Sequence, residues 1–184
     1  MLRRTALAGL AALALAACAV TDPSPLSDEE AAALTISSID VATASTAFET
    51  EAAGELRNFL AADLTSSLRR EFADRTGSGG WRMQAQVATL RLASGTATTV
   101  GTDQSAMTGT LRLIDATGRV RASVPLTVTA GAQATSVRGA AMGVLFGRQG
   151  RYYRTLLDNF AAAGRARLLG PELPGQRMVR RTMN

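Results

Sequence analysis

From Val120 to Val128 the chain alternates without a break. Val120, Ala122, Val124, Leu126 and Val128 share one face; Arg121, Ser123, Pro125 and Thr127 share the other. Successive side chains of a strand point to opposite sides, so this run is a strand with one face for a core and one for water. Pro125 lies on the polar side and, lacking an N–H, predicts an edge strand. A sheet with one apolar face must be covered. The cover is legible upstream, where Leu56, Leu60, Leu64, Leu68 and Phe72 recur at every fourth residue. That spacing, widened by Phe59, predicts a helix over 48–74. Glu49, Glu51 and Glu55 in its early turns and Arg69 and Arg70 in its late ones suit the helix dipole, and the glycine-rich stretch 76–80 ends it.

The remaining segments complete the pattern. Residues 34–41 read as a first strand whose apolar face switches between Ile36 and Ile39. Trp81, Met83, Ala85 and Val87 alternate, and Leu90 and Leu92 continue one residue out of phase, which predicts a bulged strand. Residues 107–113 form another strand, joined to 120–128 by the tight turn Asp115-Ala116-Thr117-Gly118. Residues 151–169 read as a second amphipathic helix, ended by Gly170-Pro171. The order β-α-β-β-β-α predicts an α+β fold: a two-layer sandwich of about four mainly antiparallel strands with two helices on one face. No internal repeat is present.

The N-terminus has a different character. Arg3 and Arg4 precede a run over 5–17 that is almost purely Ala, Leu and Gly, too short to span a bilayer and shaped like a secretory signal peptide. It closes on Leu15-Ala16-Ala17-Cys18, which resembles the bacterial lipobox. The resemblance implies cleavage before Cys18, a diacylglyceryl thioether on its sulfur and an acyl chain such as palmitate on its new amino group. Cys18 is the single cysteine of the 184 residues; a plain signal peptide would leave it as an unpartnered thiol in an oxidising compartment. A twin-arginine export reading of Arg3-Arg4 is also open, though ordinary signals contain such pairs. Ala19, rather than Asp, follows the cysteine, which favours the periplasmic face of the outer membrane over the inner membrane. The expected layout is a signal peptide over 1–17, a lipidated cysteine and flexible tether over 18–33, a globular domain over 34–170 and a basic, disordered tail over 171–184.

Composition removes whole classes of chemistry. All 20 basic residues are arginine, with no Lys and no His. The chain therefore has no imidazole base, no Schiff-base lysine and no His for zinc, and its acids lack the spacing of a calcium loop. The expectation is a non-enzymatic protein with no cofactor. Glu49, Glu51 and Glu55 are accounted for by their helix terminus. Gly147 to Arg154, "GRQGRYYR", lacks the Lys-Ser/Thr of a phosphate-binding loop. Gly139, Gly143 and Gly147, four apart, would line a smooth helix groove or belong to a glycine loop.

Charge is uneven. Residues 18–137 hold nine Arg and thirteen acids, a balance of −4; residues 138–184 hold nine Arg and two acids, a balance of +7. The nine are Arg138, Arg148, Arg151, Arg154, Arg165, Arg167, Arg177, Arg180 and Arg181. With eight aromatics, mostly at core positions, no stacking platform for nucleic acid is expected. An anionic membrane surface or an acidic envelope partner suits these arginines better; a solvated positive face is the plain alternative.

The lipobox, the Pro-containing tether and the element order together resemble small periplasm-facing lipoproteins. One such group shares the pattern seen here in Leu34-Thr35-Ile36-Ser37-Ser38-Ile39-Asp40-Val41 and the hairpin Asp115-Ala116-Thr117-Gly118. The auxiliary lipoproteins of ABC-type lipid transport systems are similar in element order and length. The resemblance implies a lipid-anchored accessory or partner-binding component of an envelope complex, or, from the second group, a lipid or small-molecule binding module. Neither group supplies catalytic residues.

Overall fold

The computed structural model describes residues 25–93, 104–131 and 148–171. The signal peptide, Cys18, the Gly/Thr loop, Arg138 with most of the glycine stretch, and the tail with Arg177, Arg180 and Arg181 lie outside the described residues. The elements are α1 (Asp28–Ala33), β1 (Ile36–Ala42), β2 (Ala47–Phe48), α2 (Glu51–Gly54), α3 (Leu60–Glu71), a 3-10 turn (Ala73–Arg75), β3 (Trp81–Arg91), β4 (Ser105–Ile114), β5 (Val120–Ala130) and α4 (Arg148–Leu169).

The fold is mixed α+β, built on one open five-stranded sheet in the order β1-β3-β4-β5. β3, β4 and β5 form the antiparallel meander. β1 and β2 lie end to end along the other side of β3, both parallel to it. The connection from β1 to β3 runs through α3, which packs on the sheet beside α4. The core lies between these two helices and one sheet face: Met83, Leu111, Val124 and Leu126 from the strands, Leu64, Leu68 and Phe72 from the α3 side, Leu156 and Phe160 from α4. The turn from Asp115 to Gly118 forms as the sequence predicts, with Gly118 at φ +85°. Gly170 takes φ +84° directly after α4, ending it in the left-handed conformation that favours glycine. Gly109 is demanded by space: a Cβ there would lie 2.4 Å from the Gln86 carbonyl oxygen, beside the Phe160 ring.

Three bulges interrupt the ladders. Those in β1 between Ile36 and Ser38, and in β3 between Val87 and Thr89, fall where the apolar phase shifts in sequence. The third leaves Arg121 as the extra residue of β5 opposite Leu113/Ile114. It re-aims Arg121 onto the Trp81 ring, 5.6 Å from its centroid, and into an ion pair with Glu30.

Three expectations are corrected. The first strand spans Ile36–Ala42 rather than 34–41, with Leu34 buried just before it. The tether does not extend to residue 33: residues 28–33 form α1, Leu26 is buried against the core, and Arg75 bonds the carbonyls of Ala31 and Ala32. The helix expected over 48–74 divides into β2, α2 and α3. Thr50 is the cause at the start. Its hydroxyl accepts the N–H groups of Ala53 and Leu92, capping α2 and tying it to the end of β3. Beyond Gly54 the bonds Leu56 to Ala53, Arg57 to Gly54 and Phe59 to Leu56 have i→i−3 spacing, which overwinds the chain. Phe59 therefore leaves the stripe and stands 59% exposed.

Candidate functional site

The sheet face away from the helices is polar. Gln84, Gln86, Thr110 and Ser123 project from neighbouring strands, with Arg82 and Arg112 exposed among them. Neither arginine forms an ion pair among the described residues. These positions follow from the same alternation that buries Met83, Leu111 and Val124, so the polar face is readable in sequence; its arginines sit outside the basic quarter, where a reading by charge balance does not look.

Two grooves flank α3. One, of about 400 Å³, lies between α3 and α4 and is lined by Asp63, Ser66, Arg70, Tyr153, Arg154 and Asp158, among others. Asp63, Arg70 and Asp158 have partners within it, whereas Arg154 is exposed and forms no ion pair among the described residues. The Tyr153 hydroxyl donates to Asp63 at 3.0 Å, and burial together with that carboxylate pushes the phenol far above its ordinary pKa, keeping it a donor. Arg70 donates to Asp158 and to the Ser67 hydroxyl, both at 3.0 Å. The second groove, of about 440 Å³, runs along β1 and is bounded by Ser38, Ile39, Asp40, Arg69, Ala73 and Thr76. Arg69 is exposed and forms no ion pair among the described residues.

Those of the predicted arginines whose side chains are described do not share a face. Arg151 and Arg154 stand exposed in the first turns of α4, and Arg148 begins that helix. Arg167 is half-buried near the other end of α4. Arg165 is a correction: it is 6% exposed, inside the fold, bonded to both carboxylate oxygens of Asp74 at 2.9 and 2.8 Å and to the Glu71 carbonyl at 3.1 Å. The direction of α4 separates the rest. Its start packs near the start of α3 through Tyr153 and Asp63, and its end packs near the end of α3 through Arg165 and Asp74. The chain enters the described fold at Pro25 and leaves it at Pro171 on the second of these ends, so Arg151 and Arg154 lie at the end remote from both.

No protein-family model matches the chain, and no curated protein matches it in sequence. Among solved structures it is similar to a point-mutant form of the PelC dodecamer from Paraburkholderia phytofirmans, at 14% identity over 75% of this chain and 88% of that one, with a TM-score of 0.41. It is also similar to a candidate lipoprotein from Caulobacter crescentus CB15, at 16% identity over 77% of this chain and 92% of that one, TM-score 0.39. A minor lipoprotein from Acinetobacter baumannii matches at 14% identity over 73% and 90%, TM-score 0.38. Among the described residues no helix is long and apolar enough to cross a membrane.

Proposed function

We propose that this chain is a lipid-anchored, non-enzymatic domain of the cell envelope that binds a partner protein, held at the periplasmic face of the outer membrane by acyl groups on Cys18. The lipobox supports the anchor. One observation carries the choice of partner: the sheet face turned from the helices, which no described element covers, presents Gln84, Gln86, Thr110 and Ser123 with Arg82 and Arg112 among them. A lipid or small-molecule binding module of a transport system would need a predominantly apolar cleft of several hundred cubic ångströms, whereas the two grooves beside α3 are of mixed lining, with Ser, Asp and Arg set among Leu, Ile and Tyr. A wet, hydrogen-bonding surface of this kind suits a protein partner.

The test uses the full-length protein and its Cys18→Ala variant in the native host. The wild type is expected in the membrane pellet after a salt wash and the variant in the soluble fraction. Affinity capture from detergent-solubilised envelopes is expected to bring down a stoichiometric polypeptide. A variant that stays in the washed pellet would overturn the anchor, and capture of lipid without polypeptide would overturn the partner.

A further inference from the structure

The two edges of the sheet differ. β5 has Pro125 midway, which removes one N–H, and the Asn159 side chain donates to the Thr129 carbonyl near its end at 3.0 Å. β1 is protected only at its start. There Gly77 donates to the Ile36 carbonyl at 3.0 Å, and Thr76 bridges Ile36. From Ser38 to Ala42 no strand among the described residues lies on the outer side of β1, and the run has no proline. In an edge strand alternate residues turn their N–H and C=O outward. The groove of about 440 Å³ follows this same stretch, with Arg69 of α3 standing over it on the helix side.

We propose that β1 accepts an extended segment of a partner protein as an added strand, and that an acidic side chain of that segment meets Arg69. The proposal rests on the partner-binding reading and names its mode: backbone bonds give affinity, and alternate side chains give specificity. Ile39 and Val41 face the helix side and pack on the core, so the segment's helix-side residues meet an apolar strip that ends at a cation. A second copy of this chain fits less well. Antiparallel pairing of two β1 strands about a two-fold axis places both helix layers on one side of the joined sheet. On the helix side Arg69 then meets Ile39, Val41 and the other copy's Arg69, while the one acid of the strand, Asp40, alternates to the opposite face.

The probe is a pair of synthetic peptides, acetyl-Thr-Val-Thr-Glu-Thr-Val-amide and its Lys-for-Glu counterpart, titrated into the whole chain in detergent micelles and followed by amide NMR. The Glu peptide is expected to bind saturably, to shift the amides from Ser38 to Ala42, and to bind at least about tenfold tighter than the Lys peptide. Arg69 is exposed, so Arg69→Glu leaves the fold intact, and it should reverse that preference. N-methylating alternate peptide amides should abolish binding. Four results would overturn the proposal: no saturable binding, shifts centred on β5 or on the α3–α4 groove, an unreversed preference, or protection of β1 amides that appears on concentrating the protein alone. A partner captured from envelopes while both peptides fail removes strand addition and spares the broader reading. Peptide binding with no captured partner does the reverse.

Discussion

Arg165 shows how little a residue's chemistry says about its place. Grouped by charge it belongs with Arg151 and Arg154; in the fold it is sealed between α3 and α4 with its guanidinium 5.6 Å from the Phe72 ring centroid. The signal that separates it is positional. Leu157, Ala161, Arg165 and Leu168 share one helical stripe, and the other three are buried. An arginine on a core stripe needs a carboxylate to meet it, and Asp74, ninety-one residues away in sequence, supplies it. No local pattern reveals a partner at that distance. Breaking a buried ion pair by removing one member costs about 3–5 kcal/mol, whereas exposed substitutions stay within about 0.5 kcal/mol. Asp74 keeps partial contact with water, so Arg165→Ala should lie near the lower end, at about 3 kcal/mol. Arg154→Ala should fall in the exposed range. Urea denaturation of the two variants checks this, and equal midpoints would contradict it.

Among the elements, α1 was the least expected and is the best signposted. Ser27 and Glu30 form a capping box: the Ser27 hydroxyl accepts the Glu30 N–H at 3.2 Å, and the Glu30 carboxylate accepts the Ser27 N–H at 3.1 Å. The spacing is visible in "SDEE", but two prolines and three acids nearby read as tether. The meander, by contrast, is legible nearly whole, because adjacent strands joined by a tight turn leave their pattern in one stretch of chain. The two-residue β2 is too short to show a period, and the parallel pairing of β1 with β3 joins strands separated by a helix. Glu30 also gives α1 a pH response. Its bond from Arg121 and those from Ser27 hold its carboxyl below the usual value of 4.5. A lowered carboxylate stabilises the fold above its unfolded pKa, and that contribution is lost as pH falls through the lower folded value. Because Arg121 lies over Trp81, tryptophan fluorescence should change below about pH 4.5 as α1 loosens. Glu30→Gln should remove that acid transition; a variant that retains it would show that another group is responsible.

At the scale of the whole molecule, the point where the chain enters the fold decides how it bears a pull. Residue 25 leads through α1 directly into the start of β1, and β1 lies parallel to β3 over six paired positions from Ile36–Trp81 to Ala42–Gln86. A force that draws residue 25 one way and the far end of β3 the other runs along both strands. The hydrogen bonds between them are then loaded in shear, all together, instead of opening one after another. α1 is held by Leu26, Glu30 and Arg75 and lies outside the sheet, so it should yield first, as a short extension at low force. Single-molecule pulling between residue 25 and Ala88 should therefore show two steps. The second should need more force than peeling β5 from its free edge by Thr127, where the meander unzips bond by bond. Equal rupture forces in the two geometries would refute the shear arrangement. The parallel strand pair is thus the element through which the fold would withstand tension applied at residue 25.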